Sequence, residues 1–275
     1  MRWRGFRKVR RQVCRRIRRR LGELQLEGFG EYRRYLESSP SEWRILDGCC
    51  RVTISRFFRD RGVFEALGST VLPSLAATID SGGVVSVWSA GCGSGEEPYT
   101  VSLVWEKRVS GAFPEVGIRI VATDAEPVVL RRAAEARYEE GTLRDLPPKW
   151  VDSAFRPASG GEEGEGLVLL ERIRTSVEFR HEDVREGMPD GPFHLILCRN
   201  LVFTYFDQST QVRLLQRIIE RLVPGGYLVL GAHEEIPDGR WPLSLAAGSR
   251  CVLRYSLPPS GTSCSTGASG ASTSR

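Results

Sequence analysis

At 275 residues, 41% hydrophobic and 27% charged, the chain has the length for one substantial core plus a smaller domain. With no apolar run near the ~20 residues of a membrane helix and no apolar segment after its arginine-packed start, a cytoplasmic globular protein is expected, neither inserted nor exported. The net charge of +5 is segregated: residues 1–20 carry eleven Lys or Arg and no acid, leaving −6 over the remainder, while seven cysteines without a C-x-x-C pair and three histidines argue against a zinc site or a disulfide framework.

Val9, Val13, Ile17 and Leu21 recur every four residues, which predicts a helix with a narrow apolar stripe and an arginine-rich remainder. Helical patterns continue in "FGEYRRYLES" and over residues 41–79, so residues 1–80 read as a basic, all-helical domain. From Val84 the pattern changes to short β-branched runs, "VVSVWSA", "IRIVATD", "VEFRHED", "FHLILCRN", "GYLVLGA" and "RCVLRYSL". Amphipathic stretches such as "EEPYTVSLVWEKRV", "EPVVLRRAAEARY" and "QSTQVRLLQRIIERL" lie between them. This alternation predicts an α/β fold, a doubly wound Rossmann-like parallel sheet over residues 81–258, with ligands at the carboxyl ends of the strands. Residues 139–175 interrupt the rhythm with Pro- and Gly-punctuated pieces and read as a small inserted subdomain. The segment 259–275 lacks apolar anchors and reads as a disordered tail.

The stretch "VWSAGCGSGEEPYT" carries the chemistry. Gly91, Gly93 and Gly95 follow the first strand as in dinucleotide-binding turns, but the sixth position of G-x-G-x-x-G is Glu96, and no Gly-Lys-Ser or Gly-Lys-Thr occurs. Carboxylates beside the loop repel a pyrophosphate and attract a ligand with an amino group, a sulfonium or ribose hydroxyls; S-adenosylmethionine has all three. Asp124, closing the second strand run, is placed to accept from both ribose hydroxyls, and Asp183, closing the third, to accept from the adenine amine. Read singly, Glu96 and Glu97 equally favour a helix N-terminus, and Asp124 and Asp183 cap the following helices. The three acidic strand tips taken together favour a methyltransferase.

With "VTISRFFRD", "ATDAEPVVLRRAAEARY" and "DGPFHLILCRNLVFTYFDQSTQ" in the same order, the chain resembles the CheR-type chemotaxis-receptor methyltransferases from about residue 7 to 240. That family esterifies glutamates on receptor helices with S-adenosylmethionine. The resemblance implies cofactor contacts from Thr53, Ser55 and Arg59, which stand in a segment where members show N-L-T-x-F-F-R. It implies that Glu97 takes the methionine amino group and Asp124 the ribose. Asp183 and Val184 then lie beside the adenine, Cys198, Arg199 and Asn200 form the C-R-N turn, and Arg59 and Tyr205 stand at the transferring methyl group. One more residue than usual separates C-R-N from Tyr205, a spacing expected to displace its hydroxyl. No metal is implied.

The resemblance further implies that the basic N-terminal helix meets an acidic helical protein substrate. Eleven positive charges also suit nucleic acid or a merely solvated face. The function expected is protein-glutamate O-methylation. The alternatives are a methyltransferase of the same build acting on a small molecule, another side chain or nucleic acid, and a sensor that binds the cofactor without turnover.

Overall fold

The computed structural model describes residues 10–50, 55–158 and 166–257; Thr53, Val9 and the tail 259–275 lie outside the described residues. The N-terminal part is helical: α1 (Arg10–Glu23), α2 (Phe29–Ser38) and α3 (Glu42–Cys50). The predicted stripe on α1 faces inward, since Val13 and Leu21 are buried and Ile17 packs against Leu21, Tyr32 and Leu36. This core is small and is fastened by one carboxylate. Glu42 accepts from Arg20 Nε at 2.9 Å and Nη2 at 2.8 Å and from the Tyr32 hydroxyl at 2.9 Å. The Arg20 guanidinium holds the Glu42 carboxyl below its ordinary range.

The helical spacing over residues 41–79 is not one helix. Past residues 51–54, which lie outside the described residues, residues 55–60 are not helical, and helix follows as α4 (Arg61–Ala66), a π-helical turn (Leu67–Val71) and α5 (Leu72–Ala76). Within residues 55–60, Phe58 and Asp60 take left-handed backbone, φ +56° and +61°, which no helix interior admits. Phe57 and Phe58 are fully buried, so their apolar character marks a loop plugged into the core.

The sheet then builds from β1 (Val84–Ala90), β2 (Gly117–Asp124), β6 (Val177–His181), β7 (Phe193–Cys198), β8 (Leu222–Leu230), β9 (Leu243–Ala246) and β10 (Ser249–Tyr255). Its order is β6-β2-β1-β7-β8-β10-β9; the first five strands are parallel, β10 is antiparallel to β8, and β9 is antiparallel to β10. Strand β9 is an edge strand of four residues that pairs only with β10, too short for its sequence to mark it. Side chains alternate between two apolar layers. Val85, Val87, Leu195, Leu197 and Val229 face α4, α5 and α6 (Glu96–Arg108), whereas Trp88, Ile196, Leu228 and Leu230 face α12 (Gln208–Ile219). Strands buried on both faces explain why the sequence shows continuous apolar runs here. The chain order reverses beside β1, so the loops after β1, β2, β6 and β7 converge at one end of the sheet.

Between β2 and β6 run α7 (Pro127–Glu135), β3 (Arg137–Tyr138), α8 (Glu140–Leu143), α9 (Pro148–Ala154), β4 (Phe155–Pro157), β5 (Leu167–Leu169) and α10 (Glu171–Arg174). Strands β3, β5 and β4 make a separate antiparallel sheet in that order. The interrupted rhythm of residues 139–175 is therefore a sheet of its own, with β3 contributed from just before it. Tyr138 and Phe155 pack edge-on against Phe57, seating this small sheet over the buried loop.

Candidate active site

The loop after β1 folds over the end of β2. Gly91 and Cys92 donate their N–H groups to Thr123 O at 2.8 and 3.0 Å, and Gly93 N–H donates to Asp124 Oδ2 at 2.9 Å. Gly91, Gly93 and Gly95 have φ of +73°, +56° and +91°. At Gly95, the cap of α6, a Cβ would stand 3.0 Å from both Ala133 Cβ and the Tyr138 hydroxyl, so backbone geometry and space both require glycine. Asp124 Oδ1 accepts from Glu126 N–H at 3.0 Å, and the carboxylate is thereby fixed at the strand tip.

The two acids that follow separate. Glu96 turns inward: it is buried, takes a hydrogen bond from Ser55, and its Oε2 has no hydrogen-bond partner among the described residues. Burial pushes its carboxyl above the ordinary range. Ser55 thus ties the segment leading to Arg59 onto the first turn of α6. Glu97 instead lies against the sheet end, accepting from Ser89 Oγ at 2.8 Å and from Arg199 Nη1 at 2.8 Å.

Arg199 joins this carboxylate to the buried loop. Its side chain is 3% exposed; Nη2 donates to Asp60 Oδ2 at 2.8 Å and to Arg59 O at 2.9 Å, and the guanidinium sits 5.0 Å over the Phe64 ring. Phe57 N–H bonds Thr142 O and Phe58 N–H bonds Thr100 Oγ1, both at 3.1 Å. The turn that carries Arg59, with left-handed backbone at Phe58 and Asp60, is held by bonds to Thr142, Thr100 and Arg199, so the surrounding structure fixes its disfavoured conformation. The guanidinium of Arg199 therefore serves inside the protein as a strut among Glu97, Asp60 and the Arg59 carbonyl.

Cys198, the last residue of β7, is fully buried, and burial drives its thiol well above the ordinary value. Asn200 follows in left-handed backbone, φ +56°. Between Asn200 and Phe206 the chain forms a short helix, α11 (Val202–Tyr205), with Tyr205 N–H bonded to Leu201 O at 3.0 Å. The Tyr205 hydroxyl is raised from its ordinary value chiefly by burial, with the Arg59 charge lowering it and the Glu234 charge raising it. Arg59, Tyr205 and Glu234 therefore share one electrostatic neighbourhood.

Asp183 lies two residues past β6 and accepts from Arg185 N–H and Nε, both at 2.9 Å; Val184 is buried behind it. Asp183, Arg185, Ala125 and Glu126 line one side of a cleft of about 340 Å³, and Arg44 and Gly48 of α3 line the other. The helical N-terminal part thus covers the end of the site beyond β2 and β6.

Asp124, Glu97, Asp183, Val184, Gly91, Gly93, Ser55, Arg59, Cys198, Arg199, Asn200 and Tyr205 all come from the strand-end loops or the buried loop that packs on them. Reading the sequence did not find Ser89, Asp60 or Glu234. Ser89 looks like an ordinary strand residue, Asp60 is a lone acid among arginines, and Glu234 stands beside Glu235 after β8 with nothing local to separate the two. As a donor set, the site offers carboxylates and backbone groups at the tips of β1, β2 and β6 and no cation within the glycine loop. This suits a ligand with an ammonium and ribose hydroxyls better than a diphosphate. Among the described residues no cluster of His, Cys, Asp and Glu could hold a metal, and no helix is long and apolar enough to cross a membrane.

Comparison with known proteins gives two family matches, "CheR methyltransferase, SAM binding domain" over residues 53–249 and "CheR methyltransferase, all-alpha domain" over residues 8–46. The chain is 34% identical over 208 residues to a Listeria monocytogenes protein named chemotaxis protein methyltransferase, covering 76% of this chain and 75% of the relative. It is 31% identical over 226 residues to the Escherichia coli protein of that name, covering 81% and 75%. It is 32% identical over 224 residues to chemotaxis protein methyltransferase 2 of Pseudomonas aeruginosa, covering 81% and 77%.

Proposed function

Since the chain belongs to the CheR methyltransferase family and is an S-adenosylmethionine-dependent methyltransferase, we propose that it forms glutamyl methyl esters on an acidic helical protein of the chemoreceptor kind. The observation that carries this reading is the juxtaposition of the carboxylate-lined cofactor end with Arg59 and Tyr205, Arg199 bonding Glu97 and the Arg59 carbonyl together. When bound, S-adenosylmethionine supplies an electrophilic methyl group on a sulfonium. A substrate glutamate, with an ordinary pKa near 4.3, is already ionised at neutral pH, so the protein needs no general base.

Glu97 is placed for the ammonium of the methionine moiety and Asp124 for the ribose; Asp183 and Val184 lie toward the adenine. Arg59 draws the substrate carboxylate in. Its own carbonyl is anchored by Arg199, so the guanidinium is presented from a fixed base. Tyr205 offers a hydroxyl at the same place. Orientation of this kind supplies roughly 7–11 kcal/mol in favourable intramolecular systems, and it is the main work left to the side chains.

The proposed docking surface is α1. Arg11, Arg15 and Arg18, at i, i+4 and i+7, form an exposed row opposite the buried stripe, with Arg10 and Arg19 also exposed. Arg20 is only partly exposed and is not part of this row, since the buried Glu42 holds it. The row favours an acidic helix, and screening makes its capture salt-sensitive.

The test is transfer of labelled methyl from S-adenosylmethionine to the cytoplasmic helical domain of a chemoreceptor. Label released as methanol by mild alkali supports the ester. Alkali-stable label shows a different acceptor chemistry, and S-adenosylhomocysteine binding without transfer shows a sensor.

A further inference from the structure

We propose that Glu234 is a positioning residue that sets Tyr205 for the transfer step by clamping the turn after β7 to α11 at the residue before the tyrosine. The inference rests on the reading of Tyr205 given above. Glu234 is 7% exposed and lies beyond β8, where nothing in the sheet calls for a carboxylate. Its Oε2 accepts from Asn200 N–H at 2.7 Å and from Gly231 N–H at 2.8 Å, and its Oε1 accepts from the Thr204 hydroxyl at 2.6 Å. Asn200 lies in the turn, one residue after Arg199 opens it, and Thr204, within α11, immediately precedes Tyr205. One side chain therefore spans the segment whose length decides where the tyrosine hydroxyl lies.

Three features show that the clamp does more than fill space. Asn200 is in left-handed backbone, disfavoured for a residue with a Cβ, and its N–H is held by the carboxylate. At Gly231 a Cβ would stand 2.6 Å from Asn200 Nδ2 and 2.8 Å from Glu234 Oε2, so the two turns are in direct contact. On the far side Gln211 Nε2 donates to Phe206 O at 3.0 Å and to Phe203 O at 3.3 Å, so α12 holds the backbone of α11 while Glu234 holds the turn before it and the Thr204 side chain. Burying a carboxylate is costly unless its oxygens are satisfied, and here three donors from two segments satisfy them.

The experiment uses the full chain as wild type, Glu234→Ala, Glu234→Gln, Thr204→Val and Tyr205→Phe, with the chemoreceptor cytoplasmic domain as acceptor. It reads amide exchange at Asn200 and Gly231, and kcat and KM for S-adenosylmethionine. In Glu234→Ala both amides lose protection and kcat falls about 100-fold, the order expected for a displacement near 1 Å, with KM for the cofactor little changed. Glu234→Gln recovers both readouts, because the amide oxygen accepts both N–H groups and the amide nitrogen donates to the Thr204 hydroxyl. Thr204→Val cuts one end of the clamp only; it lowers kcat by less, and it carries the test if Glu234→Ala does not fold. In Glu234→Ala combined with Tyr205→Phe, kcat is no lower than in the worse single variant.

Unchanged exchange in Glu234→Ala overturns the clamp. So does a Glu234→Gln variant as slow as Glu234→Ala, which would make charge rather than geometry the requirement. Wild-type kcat in Tyr205→Phe overturns the tyrosine's role instead, and the exchange readout keeps the two failures apart.

Discussion

Replacing Arg199 by methionine tests the strut. The substitution keeps an unbranched, apolar stem and deletes the guanidinium, which makes 2.8 Å contacts to Glu97 and Asp60, a 2.9 Å contact to Arg59 O, and a stacking contact with Phe64. Glu97, whose side chain is 13% exposed, loses its countercharge in a nearly dry setting; Asp60, at 28%, is relieved partly by water. Removing one member of a buried charge pair costs about 3–5 kcal/mol, because the other charge is left uncompensated. For a chain of this size each kcal/mol lowers Tm by roughly 2–4 °C, which places the variant about 10 °C below wild type. Lysine at 199 is expected to fall between the two, since one ammonium cannot span three acceptors set around a planar fork.

Thermal unfolding by circular dichroism is the assay, with Asp60→Asn and the double variant completing a cycle. Neutralising Asp60 in the Arg199→Met background should recover part of the loss. A melting temperature within about 2 °C of wild type, or additive losses around the cycle, would refute the strut.

Asp124→Ala should weaken S-adenosylhomocysteine binding by about 1–3 kcal/mol in calorimetry, since a charged acceptor and the anchor of Gly93 are removed together. Arg59→Ala should keep most of that affinity while losing methyl transfer; equal transfer rates would reject its role. The pH dependence of the N-terminal helices follows from Glu42. Its folded pKa is depressed, so its stabilisation is present above the unfolded value of about 4.3 and is lost as pH falls through the folded value. Protease resistance of α1–α3 should therefore fall in acid, and Arg20→Ala should weaken that dependence, leaving the smaller part due to the Tyr32 hydroxyl. Glu96 has the opposite sign. Its folded pKa is raised, so its ionisation weakens the fold as pH rises from about 4 through the folded value, and Glu96→Gln should flatten that slope in denaturant unfolding.

The sequence alone determined what depends on neighbours along the chain. Apolar runs, helical stripes and a glycine-rich turn record a strand, a helix face and a positive-φ bend within a few residues, so the β1 loop, Asp124 and the inward face of α1 were legible. The two phenylalanines before Arg59 were misread as helix, because spacing reports that a residue is buried and not which backbone conformation buries it. The destinations of long polar side chains were decided only by the tertiary structure. Arg199 meets Glu97 across 102 residues of chain and Arg59 O across 140; Glu234 reaches Asn200 across 34. In the unfolded chain water satisfies each of these groups. Only the converging loops at the end of the sheet exclude it and make a particular partner necessary.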